Sequence, residues 1–221
     1  MNAITQLMKA AGGHPPIGTW IGSASPLVAE AVAHSGFDWA VLDMEHSPLE
    51  LTGLLHLLQA VGGTKLVPVV RVPANDPVTV KRVLDLGATT LQVPFVETAE
   101  QARLAVASTR YAPAGVRGLD TNCRAARFGL SPTHLRTTNQ TIGLIVELET
   151  VAALEQLEAI GAVDGVDALF VGPGDLSASM GQIGQFTHPA VIDAMGQAVQ
   201  RARRAGKPIG TIGPTPETVA Q

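Results

Sequence analysis

Short apolar runs rich in β-branched residues alternate along this chain with longer amphipathic segments. The short runs predict strands and the longer segments predict helices. Strands are predicted over 17–22, 37–44, 65–72, 89–96, 142–149, 167–173 and 207–213, and helices over 26–35, 48–61, 77–86, 98–109, 150–160, 189–205 and from 216 onward.

The joints between these segments carry helix-start residues. A capping side chain followed by proline at the first helical position is typical of a helix N-terminus. The spacing of Ser47 and Glu50, and of Thr98 and Gln101, also predicts two capping boxes. The cap-proline pairs are Ser25-Pro26, Ser47-Pro48, Asp76-Pro77 and Thr215-Pro216.

Strands that are apolar on both faces and alternate with helices predict a parallel sheet covered by helices. No GxGxxG follows the first strand, where GSASP stands, so a (β/α)₈ TIM barrel is favoured over a dinucleotide-binding fold. We expect one barrel domain over residues 1–221. Only seven strands are predicted and the sequence stops inside the seventh helix, so we expect the last βα unit to be missing.

Composition narrows the classes of partner. The 221 residues are 46% hydrophobic, carry a formal net charge of -4 and contain no block of basic residues, so no nucleic acid or anionic membrane partner is expected. Cys123 is the only cysteine, which excludes an internal disulfide and a cysteine-cluster metal site. The polar N-terminus and the lack of an apolar run of ~18 residues predict a cytoplasmic protein that acts on a small molecule.

Ionisable residues collect where the predicted strands end. In a parallel barrel these ends open on one face, which is where catalytic groups lie. We therefore expect the functional site at this face. The residues are Asp43, Glu45 and His46 after the second strand, Arg71 in the third, Glu147 and Glu149 in the fifth, and Asp175 after the sixth.

Glu147 and Glu149 are two residues apart, so they share one face of a strand. If that face is the barrel interior, the two carboxylates and Asp175 would need a cation between them, and oxygen ligands favour Mg²⁺ or Mn²⁺. The alternative is that the glutamates flank a solvated loop and Asp175 caps a helix.

Arg71 and His46 are the candidate catalytic side chains outside this acidic group. A guanidinium suits a carboxylate or a developing enolate oxygen, although Arg71 could instead form an ion pair with Glu149 or Asp43. His46 suits proton transfer near neutral pH and shares its strand end with two acids. The other histidines, at 14, 34, 56, 134 and 188, are interpreted as structural or surface residues.

The four lysines argue against a covalent imine mechanism. A Schiff base needs a desolvated lysine in the pocket. None of the lysines, at 9, 65, 81 and 207, follows a predicted strand. A metal ion, rather than a lysine imine, is therefore expected to withdraw electrons from the substrate.

At this point the chain resembles the HpcH/HpaI class II pyruvate aldolases, which include 4-hydroxy-2-oxoheptane-1,7-dioate aldolase and the 2-keto-3-deoxy sugar-acid aldolases. The match runs in order along nearly the whole chain. It is carried by GTWIGSASP, HSGFDWAVLDMEHSP, VPVVRV, RVLDLGATTLQVPFVETAEQA, GVRG, VELE and FVGPGDLSASMG.

The resemblance implies an aldolase that cleaves a 4-hydroxy-2-oxo acid to pyruvate and an aldehyde. It implies that Glu149 and Asp175 bind a divalent ion, Mg²⁺, Mn²⁺ or Co²⁺, that stabilises the pyruvate enolate. Arg71 would hold the keto or enolate oxygen, His46 would act as the base, and the backbone near Gly174 would receive the pyruvate carboxylate.

Asp85 matches the family's partner for this histidine, yet it lies at the end of a predicted helix, on the face opposite the strand exits. We hypothesise that it reaches His46 of a neighbouring subunit in a homo-oligomer, a trimer or a hexamer. The alternative is a surface acid.

One departure from the family affects substrate binding. Glu147 stands where the family usually carries glutamine, and its charge could repel the pyruvate carboxylate or add a metal ligand. The aldehyde pocket is expected from the 112–141 connection, where Arg117, Arg124 and Arg127 hint at an acidic or polyhydroxylated acceptor.

Two other functions stay open from the sequence. One is a related metal-enolate lyase, either an oxaloacetate decarboxylase or a citrate-lyase-like enzyme. The other is a catalytically impaired barrel that only binds metal and oxo acid. The predicted pathway for an active aldolase is aromatic or sugar-acid catabolism.

Overall fold

The computed structural model describes residues 1–213, which group into two compact units. Unit 1 comprises Met1–Gln92 and Ala107–Gly143, and unit 2 comprises Val93–Val106 and Leu144 onward. Each unit contains parallel strands and helices. The predicted helix from 216 and its Thr215-Pro216 start lie outside the described residues.

The described residues form seven strands and ten α-helices, which alternate through most of the chain. The strands are β1 Gly18–Ile21, β2 Trp39–Asp43, β3 Val67–Arg71, β4 Thr90–Val93, β5 Gly143–Leu148, β6 Ala168–Val171 and β7 Ile209–Thr211. The helices are α1 Ala3–Ala10, α2 Pro26–Ala33, α3 Leu51–Ala60, α4 Pro77–Asp85, α5 Ala99–Thr109, α6 His134–Thr141, α7 Val151–Glu155, α8 Leu157–Gly161, α9 Pro173–Ser179 and α10 Pro189–Arg204.

In unit 1 the strands pair in chain order and all run parallel. Asp43 lies opposite Arg71, and Arg71 lies opposite Gln92. Since parallel strands end at the same edge of a sheet, this register brings the last residues of β2 and β3 side by side.

In unit 2, β5, β6 and β7 also pair in chain order and run parallel. Glu147 lies opposite Phe170, and Val171 lies opposite Thr211. The buried apolar run of β6, Ala168–Val171, lies between its two neighbours, as expected for a strand covered on both faces. The predicted parallel α/β architecture is confirmed within each unit.

Two of the predicted cap-proline starts are confirmed. The Ser25 side chain accepts from the Val28 N–H at 3.4 Å, and Asp76 accepts from the Thr79 N–H at 2.8 Å. The capping box at Thr98 is also confirmed, because Gln101 Oε1 accepts from the Thr98 N–H at 3.2 Å and Thr98 Oγ1 accepts from the Gln101 N–H at 3.2 Å.

The predicted helix start at Ser47-Pro48 was wrong. The helix begins at Leu51, and the side chain of Glu50, its N-cap, forms no capping hydrogen bond. The Ser47 hydroxyl instead donates to the Asp43 carbonyl, so it secures the turn after β2 rather than a helix. The hydrogen bond from Ser47 to Asp43 therefore replaces the helix cap that the local sequence pattern predicted.

Several helices were not predicted from the sequence. These are α1, α6, α9 and a 3₁₀ helix at Arg124–Ala126. The helix predicted over 150–160 is two short helices, α7 and α8, with Gln156 between them at φ -95° and ψ 8°. Within residues 1–213 no helix is long and apolar enough to cross a membrane.

Candidate active site

Asp43 and Arg71 form a two-point ion pair at the strand exits of unit 1. Arg71 Nε donates to Asp43 Oδ1 at 2.9 Å, and Arg71 Nη2 donates to Asp43 Oδ2 at 2.7 Å. Both side chains are buried, with 11% and 5% of their surfaces exposed. The ion pair with Asp43, one of the alternatives that the sequence left open for Arg71, is therefore present.

Glu45 and Trp20 complete the surroundings of the guanidinium. Arg71 Nη1 lies 3.0 Å from Glu45 Oε2, and the Arg71 Cζ atom lies 5.8 Å from the Trp20 ring centroid. Each of the three guanidinium nitrogens therefore contacts a carboxylate, and an indole ring lies beside the guanidinium. This arrangement fixes the orientation of Arg71 before any ligand binds.

The turn after β2 depends on Asp43 as well. Asp43 Oδ1 accepts from the backbone N–H groups of Glu45 at 3.0 Å and His46 at 3.3 Å. Burial raises the pKa of Asp43, but the hydrogen bonds from Arg71 and from these N–H groups outweigh it, so its pKa lies below the ordinary value. Asp43 is therefore an ionised structural anchor at neutral pH.

His46 is the exposed member of this group. Its side chain is 62% exposed, and its Nε2 atom lies 3.7 Å from Glu45 Oε2. A histidine in this position is open to solvent and to a ligand, with a carboxylate beside it.

Glu149 is a buried carboxylate immediately after β5 in unit 2, with 3% of the residue exposed. Its Oε2 atom accepts from the Phe95 N–H at 3.0 Å. Phe95 adopts φ 51°, a backbone conformation that is uncommon outside glycine. That conformation is part of the turn that presents the Phe95 N–H to the carboxylate.

Gly172 provides the space for the other oxygen of Glu149. A Cβ atom at position 172 would lie 2.5 Å from Glu149 Oε1 and 2.9 Å from its Cγ. Because such distances are far below van der Waals contact, a side chain at position 172 would force the Glu149 carboxylate to move. Gly172 is also the N-cap of α9.

Asp175 and Gly174 follow in the first turn of α9. Asp175 is partly exposed, and Ser177 Oγ donates to the Gly174 carbonyl at 2.7 Å. The site of a Cβ atom on Gly174 is 3.9 Å from the Phe186 ring, which is an ordinary contact. The structure thus places Asp175 three residues beyond the glycine against which Glu149 packs.

Glu147 is buried within β5, with 1% of the residue exposed. Its backbone carbonyl accepts from the Val96 N–H at 3.1 Å. The burial of both side chains argues against the alternative in which Glu147 and Glu149 flank a solvated loop. Both are enclosed acidic side chains.

The donor chemistry of Glu149 and Asp175 fits a hard divalent cation, because both offer carboxylate oxygens. In residues 1–213 no group of three or more histidine, cysteine or acidic side chains is arranged to hold a metal ion. A cation held by these two residues would therefore take its further oxygen ligands from substrate and water, as Mg²⁺ commonly does.

Asp85 forms an ion pair within its own chain. Its Oδ1 atom accepts from Arg117 Nη2 at 2.8 Å, and its side chain is 22% exposed. No contact between Asp85 and His46 occurs within the described chain. Arg117 is thus salt-bridged, whereas sequence reasoning considered it for the aldehyde acceptor.

Sequence reasoning missed the roles of Trp20, Phe95 and Gly172. Phe95 lies in VPFVE and Gly172 in FVGPGD, and both motifs contributed to the family resemblance. The signal available for Gly172 was a glycine directly after a buried strand and before proline. No local pattern indicated that the Phe95 N–H would point at Glu149.

Fold and site together define an α/β protein with buried acidic side chains at the carboxyl ends of parallel strands. A family model described as HpcH/HpaI aldolase/citrate lyase matches residues 16–217. The chain belongs to this family, which confirms the prediction from the sequence motifs.

Two curated relatives cover most of the chain. One is 2-dehydro-3,6-dideoxy-6-sulfogluconate aldolase of Pseudomonas putida, 50% identical over 204 residues, or 92% of this chain and 80% of the relative. The other is 5-keto-4-deoxy-D-glucarate aldolase of Salmonella arizonae, 46% identical over 198 residues, or 90% and 77%. Aldolases are carbon–carbon lyases, and this chain is an enzyme of that type.

A solved structure supports the fold assignment. The HpcH/HpaI aldolase/citrate lyase family protein from Burkholderia cenocepacia J2315 has a TM-score of 0.89 and 39% identity, and the match covers 95% of this chain and 84% of that one. Aldolases of this family generally depend on a divalent metal ion.

Proposed function

We propose that this enzyme is a divalent-metal-dependent aldolase that cleaves a 2-keto-3-deoxy sugar acid to pyruvate and an aldehyde, and catalyses the reverse condensation. The observation that carries the proposal is the buried Glu149 carboxylate, fixed by the Phe95 N–H against Gly172, with Asp175 in the following helix. The names of both curated relatives support a sugar-acid substrate rather than an intermediate of aromatic catabolism.

Glu149 and Asp175 are the residues that would hold the ion, Mg²⁺, Mn²⁺ or Co²⁺. When bound, a divalent ion supplies Lewis acidity that favours the enolate form of pyruvate. The N–H group of Phe95 donates to Glu149 Oε2 at 3.0 Å and so orients the carboxylate.

Arg71 would donate hydrogen bonds to the keto oxygen of the substrate as negative charge develops there. Its guanidinium is held by Asp43 and Glu45, so little reorganisation is needed when the charge appears. Gly174 lies in the first turn of α9, where backbone N–H groups favour a carboxylate, and it would receive the carboxylate of pyruvate.

His46 would act as the base. It accepts the proton of the substrate 4-hydroxyl, the C3–C4 bond breaks to release the aldehyde, and the bonding electron pair passes to C3. A proton returned to C3 then gives pyruvate. Glu45 Oε2 lies 3.7 Å from His46 Nε2, so a carboxylate would face the imidazolium that forms.

Other parts of the proposal come from the sequence pattern and the family resemblance. We propose a (β/α)₈ barrel in a single domain, a cytoplasmic location and a homo-oligomer in which Asp85 supports His46 of a neighbouring subunit. Measuring the mass of the protein in solution and the activity of mixed Asp85→Ala and His46→Ala proteins checks the shared site. If the mixture regains activity that neither variant has alone, the shared site is supported. If the mixture is no more active than the two separate variants, the shared site is contradicted.

The central test measures the release of pyruvate from 5-keto-4-deoxy-D-glucarate. The pyruvate is monitored through a coupled reaction that oxidises NADH. We expect activity that EDTA abolishes and Mg²⁺, Mn²⁺ or Co²⁺ restores. Glu149→Gln and Asp175→Asn should raise the metal concentration needed for half-maximal activity. Glu100→Gln, an exposed acid in α5, is the matched control.

Oxaloacetate, assayed in parallel, separates aldol cleavage from decarboxylation. Faster pyruvate release from oxaloacetate than from the sugar acid would favour a decarboxylase. No pyruvate from either compound with any of the three metals would contradict the proposed activity and favour an impaired, binding-only protein.

A further inference from the structure

Unit 1 contains a cavity of about 420 Å³ that lies away from Asp43 and Arg71. Its walls include Gly87, Ala88 and Thr89, which directly precede β4, and one side of α6. Because the strands of unit 1 are parallel, this is the edge where strands begin, opposite the edge where Asp43 and Arg71 lie. A cavity of this size is within the range of small-molecule sites, about 300–1,000 Å³.

The walls of the cavity are basic and rich in hydroxyl groups. Three lining side chains are basic, and none of the lining residues is acidic. Six lining residues carry hydroxyl groups, and four of these, at positions 133, 137, 138 and 141, belong to α6 or its N-cap. The basic residues are Arg117, Arg127 and His134.

Arg117 contributes a positive charge that its neighbours offset only in part. Its side chain is fully buried and contacts Asp85 through Nη2 alone, at 2.8 Å. Nε and Nη1 are buried and have no hydrogen-bond partner among the described residues. The Tyr111 ring, 4.6 Å from Arg117 Cζ, adds only a weak cation–π contact. A buried guanidinium in these surroundings favours an anion nearby.

His134 and the threonines of α6 supply groups that can hydrogen-bond to a ligand. His134 Nε2 lies 3.5 Å from the Tyr111 hydroxyl, and Nδ1 lies 3.3 Å from Thr138 Oγ1. Thr137 and Thr141 donate to carbonyls of the preceding helical turn at 3.1 Å and 3.4 Å. Their oxygen lone pairs remain suited to accept from ligand hydroxyl groups.

The loop that carries Arg127 has an unusual backbone. Arg127, Phe128 and Gly129 have φ angles of 51°, 55° and 84° in succession. Two of these residues are not glycine, so the surrounding structure must stabilise a backbone conformation that L side chains rarely adopt. The result is a basic side chain held at the wall of the cavity.

We propose that this cavity binds a small polyhydroxylated carboxylate, with Arg127 and the field of Arg117 attracting the carboxylate and the α6 hydroxyl groups binding the polyol. A simple inorganic anion would use the arginines but not the row of hydroxyl groups. An apolar compound would use neither.

The test is a titration of the full chain with D-gluconate, which is a small polyhydroxylated carboxylate. Binding is monitored by the NMR signals of the His134 ring protons. The signal is assigned from its loss in the His134→Gln variant. EDTA is present throughout, so chelation of a metal ion does not contribute. We expect saturable shifts of the His134 signal, and inorganic phosphate at equal ionic strength should bind more weakly.

Two variants examine the two halves of the ligand. Arg127→Gln should weaken gluconate binding by about tenfold, because a hydrogen bond to a charged group is lost. Thr137→Val should weaken gluconate by roughly threefold and leave phosphate unchanged, because only a neutral hydroxyl is lost. The matched controls are Arg136→Gln, exposed on α6 but absent from the cavity wall, and Thr52→Val in α3, and neither should change binding.

Three results would overturn the proposal. The first is no shift of His134 at millimolar gluconate. The second is a shift that neither Arg127→Gln nor Thr137→Val weakens. The third is phosphate binding as tightly as gluconate with no effect of Thr137→Val, which identifies a general anion pocket. Circular dichroism of each variant establishes that its fold is retained.

Discussion

Asp43 and Arg71 are joined by two hydrogen bonds, at 2.9 Å and 2.7 Å, across the last paired position of β2 and β3. The same Asp43 carboxylate accepts two backbone N–H groups of the turn that carries His46. One buried side chain therefore orients both the guanidinium and the turn with the proposed base.

Replacing Asp43 by asparagine should destabilise unit 1 and misplace Arg71. Truncating one partner of a buried ion pair typically costs 3–5 kcal/mol, and because Glu45 still contacts Arg71 we expect about 3 kcal/mol. Urea unfolding at neutral pH measures this loss in the free energy of unfolding. Asp193→Asn, on the exposed face of α10, is the control and should change it by less than about 0.5 kcal/mol.

Gly172→Ala should impair the proposed metal site while the fold is retained. The backbone at 172, φ -88°, accepts alanine, but the added Cβ would lie 2.5 Å from Glu149 Oε1 and force the carboxylate away. We expect at least a tenfold weaker metal affinity, comparable to the loss of a supporting contact around a metal ligand. Isothermal titration with Mn²⁺ measures the affinity directly.

Gly196→Ala provides the comparison for that experiment. Position 196 lies inside α10, and a Cβ atom there meets nothing within 4 Å. Alanine should stabilise the helix by roughly 0.5–1 kcal/mol and leave Mn²⁺ affinity unchanged. Equal Mn²⁺ affinity in both variants would mean that Glu149 does not bind the metal.

Glu147→Gln tests the departure from the family pattern. Glu147 is 1% exposed, and the removal of a buried negative charge should favour binding of an anionic oxo acid. We expect a lower KM for the oxo acid with little change in kcat, which steady-state kinetics resolves. Glu155→Gln, exposed on α7, should leave both constants unchanged, and a higher KM in Glu147→Gln would contradict the role assigned to the charge.

The Glu158–Arg201 pair predicts a specific acid dependence of stability. The hydrogen bonds from Arg201 lower the pKa of Glu158 from 4.5 to about 2. Because the folded-state value is the lower one, the contribution is present in full above about pH 4.5 and is lost as pH falls from 4.5 to about 2. Glu158 is 53% exposed, so solvent screening limits the contribution to about 0.5–1 kcal/mol.

Unfolding of Glu158→Gln as a function of pH checks this dependence. The variant should be less stable than the parent at neutral pH and equally stable near pH 2, so the two curves converge. A constant difference between the curves across that range would show that the charge of Glu158 contributes nothing. Glu155→Gln should follow the parent curve throughout.

The order of strands and the position of the acidic groups could be predicted from the sequence, because both follow from local patterns. Buried apolar runs predicted β2, β3 and β5, and the polar residues that follow them marked where these strands end. The shared face of Glu147 and Glu149 stays a prediction, because β5 ends at Leu148. Capping residues predicted the starts of α2 and α4, where no tertiary contact competes for Ser25 or Asp76.

The sequence could not predict contacts between residues far apart in the chain. The hydrogen bond from Phe95 to Glu149 joins residues 54 positions apart, and the one from Arg117 to Asp85 joins residues 32 positions apart. Ser47 shows the same limit, because its capping pattern was outweighed by the turn that Asp43 organises. Such contacts depend on how distant segments pack together, and the local pattern of apolar and polar residues does not predict that packing.

The two tryptophans of the chain, Trp20 and Trp39, both lie in unit 1, with ring centroids 5.9 Å apart. Intrinsic indole emission therefore reports on unit 1 alone, and the guanidinium beside Trp20 makes it sensitive to the state of Arg71. Fluorescence and far-ultraviolet dichroism recorded on the same denaturation would reveal whether the tryptophan-free unit 2 melts together with unit 1 or separately.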